Sequence, residues 1–232
     1  DYTQYYYDQG KYDIQFIMLW GWTWAEYGGQ QALDDWYALH DFIMTHDVTN
    51  PFTYQAITAQ YDVTSLVDYI IINSYVVCSD WMNWNVGWWR GQNPDGSHRK
   101  WAYILWDEDA TFGHYINYTG IPEQSTYVSP CFPEGLTQQW QDPEGHITLL
   151  NKLRQNPDFE QYYVSRYIDL LNTCFTDDYM INLLDSMAGI IAPEMQAHTL
   201  RWGGTVAKWR SNVQRIRDFI TTRNSIMDAG LR

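Results

Sequence analysis

The plainest periodicity in the chain begins at Asp62, where Val63, Leu66, Val67, Ile70, Ile71 and Tyr75 fall three and four residues apart. That spacing lines one face of a helix, and Asp62 suits its N-cap because a carboxylate accepts from the unsatisfied amides of the first turn. This helix delivers the chain to Ser79-Asp80. A second helix is predicted over Gln30–Thr45, where Leu33, Trp36, Tyr37, Leu39, His40 and Ile43 keep helical spacing and the pattern stops near Asn50-Pro51. After Asp80 the period shortens. Trp84–Arg90 and Lys100–Trp106 are aromatic-rich runs of strand length around Asn93-Pro94-Asp95-Gly96, a turn sequence, so a β-hairpin is expected. From Ile147 the three-four spacing returns in Ile147–Arg154, Pro157–Cys174, Thr176–Ile191, Pro193–Arg201 and Val206–Asn224. Asn156-Pro157, Thr176-Asp177-Asp178 and Ala192-Pro193 mark helix starts, with Pro admitted in the first turn. The expected fold class is α+β, a small hairpin or sheet carrying acidic residues joined to a helical C-terminal half.

The 232 residues are read as one domain. Residues 1–60 are a lead-in, 61–114 the core, 115–145 a long loop rich in Pro, Gly, Ser and Thr, and 146–232 the helical region. The chain opens without an initiator Met, which points to a mature or excised segment of something longer. No run of 18 apolar residues predicts a membrane span, and residues 1–13 lack the form of a signal peptide.

Charge narrows the function classes. Lys and Arg number 14 against 28 Asp and Glu, a net charge of −14, so neither a duplex phosphate backbone nor an anionic membrane is an attractive partner. An acidic chain handles nucleotides when divalent cations sit between its carboxylates and the phosphates. Aromatics make up 17% of the residues, which suits a rigid extracellular or envelope domain. Cys78, Cys131 and Cys174 show no metal-ligand spacing and decide nothing about the redox compartment. Cys78 reads as a small buried filler.

The order helix, Asp80-x4-Asn85, hairpin, Asp107-Glu108-Asp109, Phe112-Gly113 is also that of a protein-kinase catalytic core. Phosphoryl transfer needs a carboxylate to orient and deprotonate the acceptor hydroxyl, which suits Asp80, and oxygen ligands for a metal, which Asn85, Asp107 and Asp109 offer. Strand alternation would place Asp107 and Asp109 on one side with Glu108 pointing away, and two like charges so placed favour a bridging cation. His114, just after Phe112-Gly113, is read either as a group approaching the phosphates or, more commonly, as a structural polar group, and His198 with Arg201-Trp202-Gly203 as a helix-packing element bracing the core. Trp81, Trp84, Trp88 and Trp89 form either a stacking platform for a sugar or base, or, more commonly for such strands, core.

Trp106-Asp-Glu-Asp-Ala-Thr-Phe-Gly113 resembles the Trp-Asp-Leu-Asp-x-x-Phe-Gly signature of the CotH family, spore-coat kinase proteins also found among secreted bacterial proteins and on fungal spores. Asp80-Trp-Met-Asn-Trp-Asn85 falls where that family has an Asp followed shortly by Asn-Tyr-Tyr. Asn156-Pro-Asp-Phe-Glu-Gln-Tyr-Tyr-Val-Ser-Arg166, Leu170–Phe175, Pro193-Glu-Met195 and His198-x-x-Arg-Trp-Gly203 resemble its helical C-terminal region, the likeness running from about Trp36 to Phe219. The resemblance implies an atypical kinase-like fold and transfer of the ATP γ-phosphate to Ser or Thr of secreted or coat proteins, with magnesium or manganese. It implies Asp80 as catalytic residue and Asn85, Asp107 and Asp109 as metal ligands. It also implies an upstream nucleotide-binding part with a phosphate-binding lysine, whereas Lys11 is the sole lysine before Lys100. The alternative is a surface or coat binding module that keeps the scaffold without transferring phosphate.

Overall fold

The computed structural model describes residues 2–78, 81–82, 84–113 and 142–231. It mixes helices with a four-stranded antiparallel sheet, as an α+β chain should, and divides into two compact units. The first holds residues 1–73, 80–108 and 137–164, and the second 74–79, 109–136 and 165–232.

In the first unit, a short helix α1 (Tyr2–Tyr7) precedes strands β1 (Ile14–Leu19) and β2 (Thr23–Tyr27), which precede helices α2 (Gly29–Thr45) and α3 (Pro51–Thr58). Helix α4 (Val63–Val76) contributes its first 11 residues to this unit. Asp62 caps α4 as expected, its Oδ1 accepting from the amides of Thr64 and Ser65 at 3.1 and 3.2 Å. Strands β3 (Val86–Gly91) and β4 (Ala102–Ile104) form the expected hairpin, and the sheet order is β2-β1-β3-β4. Helix α5 (His146–Leu153) starts where Asp142 accepts from the amides of His146, Ile147 and Thr148, and α6 (Pro157–Asn172) where Asn156 accepts from Asp158 and Phe159.

The core of this unit is aromatic. Trp36 of α2 meets Trp88, Trp101 and Tyr61 at ring separations of 5.4, 5.6 and 5.7 Å, and all four are shut off from solvent. A polar chain threads it: the Tyr61 and Tyr103 hydroxyls are 2.8 Å apart, and the Tyr103 hydroxyl is 2.8 Å from Nδ1 of the buried His146. Burial pushes the Tyr61 and Tyr103 hydroxyls up and the His146 imidazole down. Arg90 enters beside Trp101 with its charge answered, donating to Asp35 at 2.6 Å and Gln15 at 2.6 Å.

In the second unit, helices α7 (Asp177–Ile191), α8 (Met195–Trp202) and α9 (Val206–Leu231) follow the rest of α6, with a 3₁₀ turn (Ala192–Glu194) between α7 and α8. Thr176 caps α7 through the Tyr179 amide at 3.3 Å. Tyr75, near the end of α4, stacks on Phe175 at 4.0 Å and its hydroxyl donates to Asn224 of α9 at 3.1 Å. His198, Arg201 and Trp202 do not brace a core as expected: they are exposed, Trp202 by 70%, with the Arg201 guanidinium lying over the Trp202 ring.

Candidate functional site

The hairpin positions two of the four predicted site residues. Strands β3 and β4 pair antiparallel with Gly87 opposite Ile104, so Asn85, just before β3, and Asp107, just after β4, leave the sheet at the same end. Asn85 is buried and Asp107 exposed. The backbone there is unusual. Among the described residues, seven that are not glycine have positive φ; four of them, Met82 (75°), Asn85 (57°), Asp107 (57°) and Phe112 (55°), fall on the two stretches carrying the motif, and a fifth, Val77 (52°), lies at the end of α4 just before the first. Each such conformation costs about 1–3 kcal/mol, and Val77 is β-branched, the type least tolerant of it. Strain of this kind persists only where surrounding structure over-determines it, and it concentrates at functional sites.

Strand β4 ends at Ile104, and Asp107 turns left-handed, so the alternation expected to align Asp107 with Asp109 does not reach either residue. Glu108 is half-buried rather than turned outward, whereas Asp109 is exposed. Of the four tryptophans considered for a platform, Trp81, Trp88 and Trp89 are core and Trp84 half-buried. Cys78 is buried as expected. Asp80, His114 and Cys131 lie outside the described residues.

Asp109–Gly113 belongs to the second unit, where α9 holds it. The Phe112 amide donates to the Val76 carbonyl at 2.9 Å, joining this turn to the end of α4. Arg223 donates from Nε to the Tyr75 carbonyl at 2.8 Å and from Nη2 to the Ser74 carbonyl at 2.6 Å. Phe219 packs edge-on against Phe112 at 5.5 Å, and Arg215 donates to the Gly113 carbonyl at 2.5 Å. These three residues are spaced by four and so share one face of α9. Burial pulls the Arg223 guanidinium down to about 10, still charged at neutral pH. The sequence pattern did not single out this brace, although an Arg-x3-Phe-x3-Arg stripe was there to find.

The donor set fits a hard divalent cation. An amide oxygen and carboxylates suit magnesium or manganese, which take one or two carboxylates and complete their shell with water and phosphate oxygens. Among the described residues, no group of three or more His, Cys, Asp and Glu stands together as a metal cage.

Comparison with curated proteins gives no match. A family model described as CotH kinase protein matches residues 21–227, most of the chain and all of the described motif.

Proposed function

Because the chain belongs to the CotH kinase family, we propose that it is an atypical, divalent-cation-dependent protein kinase of the extracytoplasmic or coat type, a kinase-like chain that moves the ATP γ-phosphate to Ser or Thr hydroxyls. No helix among the described residues is long and apolar enough to cross a membrane. The observation that carries the reading is the left-handed backbone at Asn85, Asp107 and Phe112, three positions of the family motif. Ordinary turns would place Gly or a solvated Asn there, whereas here a buried Asn and a Phe packed on α9 hold the conformation.

In this reading Asp80 accepts a hydrogen bond from the acceptor hydroxyl, orients its oxygen toward the γ-phosphorus and takes its proton. The new bond joins the hydroxyl oxygen to phosphorus, the bond to the β–γ bridging oxygen breaks, and ADP leaves. Asn85, Asp107 and Asp109 hold the cation, which when bound neutralises charge on the phosphate oxygens. Arg215, Phe219 and Arg223 keep the Asp109–Gly113 turn fixed to the end of α4. Positioning of this sort supplies most of the acceleration in phosphoryl transfer.

The test is phosphate transfer from labelled ATP by the full-length protein, alongside ATP affinity by calorimetry. Asp80→Asn is expected to slow transfer by roughly 10²–10⁴-fold while ATP affinity stays nearly intact. Replacing Asp107 and Asp109 together with Asn removes cation-dependent ATP binding. Loss of affinity in Asp80→Asn would make Asp80 a ligand, and ATP binding without transfer in the parent protein would leave a binding module.

A further inference from the structure

A cluster of tryptophans at one end of the sheet is not explained by packing. Trp20 and Trp22 flank Gly21 in the β1–β2 turn and remain 47% and 63% exposed, whereas Trp36, Trp88 and Trp101 of the same unit are fully buried and Trp24, Trp84 and Trp106 half-buried. Leaving that much apolar ring in water brings no folding gain, so an exposed aromatic group of this size is informative where a buried one is not.

The tip is held firmly. The Trp20 amide donates to the Trp22 carbonyl at 3.1 Å, and Gly21 has φ +75°. A Cβ on Gly21 would lie 2.9 Å from the Trp84 ring, so only glycine lets the turn press this closely. Trp20 stands edge-on to Trp84 at 5.1 Å and to Trp22 at 6.1 Å, and Trp22 is tilted over Trp24 at 5.8 Å. Trp24 is anchored in turn by its indole N–H, which donates to Glu26 at 2.9 Å. The rings are therefore fixed relative to one another while the Trp22 face stays open.

Its location names the occupant. Leu19, the last residue of β1, pairs with Val86, the first of β3, so the tip stands at the same sheet end from which Asn85 and Asp107 leave. Trp84 directly precedes Asn85, an interval of about 3.8 Å between Cα atoms. A nucleoside triphosphate whose phosphates lay by Asn85 and Asp107 would have its flat base at this same end of the sheet. We propose that Trp20 and Trp22, backed by Trp84, form the stacking platform for the purine base of the nucleotide, an inference that rests on the kinase reading. Every base has a π-face, so such a platform binds without hydrogen-bond readout and should take ATP and GTP alike.

The experiment compares magnesium-ATP, magnesium-GTP and magnesium-tripolyphosphate, the last having no base, by calorimetry on the full-length protein. Trp22→Ala is expected to weaken both nucleotides by about tenfold or more, the scale for losing one stacked aromatic, and to leave tripolyphosphate unchanged. Trp22→Phe restores most of the affinity. Equal effects on all three ligands, or none on any, would overturn the platform. So would ATP binding no tighter than tripolyphosphate in the parent protein, although the kinase reading would survive that result. If the parent binds neither ligand, both ideas fall. Tryptophan quenching by a soluble oligosaccharide but not by ATP would assign the tip to sugar and end the proposal.

Discussion

The two units use aromatic and apolar residues in opposite ways. In the first, indoles and phenols are drawn inward until Trp36, Trp88, Trp101 and Tyr61 have almost no contact with water, and the polar groups taken along, Arg90 and Tyr103 among them, find hydrogen bonds. In the second, α7 buries none of its residues: Leu183, Met187 and Ile190 lie along it with exposures of 42, 58 and 74%. What that unit buries is gathered instead around the end of α4, where Tyr75, Phe175, Tyr167, Arg223 and Met227 meet. Apolar pattern alone therefore does not say where a core lies, since a helical stripe written in Leu, Met and Ile is open in one unit while the Trp- and Tyr-bearing hairpin β3–β4 is closed in the other.

The strongest test of this contrast is Trp36→Ala, which deletes the indole that touches three buried aromatic rings of the first unit. It is expected to cost about 3–5 kcal/mol, the range for truncating a large aromatic in a core that cannot collapse. Thermal or urea unfolding checks it. A cost under about 1 kcal/mol would mean that the aromatic cluster is loosely packed.

Arg223→Met probes the small core of the second unit. Methionine keeps much of the apolar stem but leaves the Ser74 and Tyr75 carbonyls without their donor, at a cost of about 1–3 kcal/mol for each buried group. Lysine is a poor substitute, because one ammonium does not reproduce the fork that spans two carbonyls. Hydrogen exchange at the amides of α9 should report the loosening, and Phe112 should follow, since its amide bonds the next carbonyl of α4. Loosening confined to α9 would show that the brace does not reach the Asp109–Gly113 turn.

How much was legible follows the same line. The Asp62 cap, α4, the β3–β4 hairpin and the C-terminal helices stood out because their periods are long and their caps ordinary. Strand β1 did not, because Gln15, a polar residue, is buried within it and bonded to Arg90 and Asp35, so no clean alternation appears. Strand β2 is half-buried along most of its length and carries no alternation either, and α3 buries only Ile57. Helix α9 runs past the expected Asn224 to Leu231 because Met227 is buried and accepts a hydrogen bond from the Tyr167 hydroxyl, a contact 60 residues distant in sequence. At the site, the order of Asn85, Asp107 and Asp109 could be read from spacing, but the early end of β4 and the left-handed Asp107 are set by tertiary structure.

A pH titration sharpens the contrast further. His146 is fully buried against Trp88, with Asp142, Glu144 and His40 the charged or titratable groups acting on it, and desolvation holds its pKa below the ordinary 6.5. The unfolded chain therefore binds a proton in a range where the folded one does not. Stability is full above about pH 6.5 and falls as pH drops toward the folded pKa, by at most about 1.4 kcal/mol per pH unit for one such group. His98, stacked on Trp89 in the same unit, is shifted in the same direction by burial. His146→Gln should flatten part of the slope and the further change His98→Gln more of it. A slope unchanged in the double variant would place the acid sensitivity elsewhere.

The smallest expected effect belongs to α7. Met187 is 58% exposed on a helix with no buried residue, so Met187→Gln exchanges one good helix former for another and gives up little packed area. Its cost should stay within about 0.5 kcal/mol, the usual span for a surface substitution away from caps and ion pairs. The nearest ion pair on α7, Asp185 with Arg217 of α9, is untouched by the change. Leu183→Gln should behave likewise, and the two together should be additive, since neither removes a buried contact. If instead the double variant loses about 2 kcal/mol or more, roughly the cost of deleting a buried aliphatic side chain, the stripe is covered in solution and the contrast between the units disappears. Unfolding measured at two protein concentrations then separates the sources of that cover: a cost that grows with concentration points to a second copy of the chain, and a constant one to cover from within the same molecule.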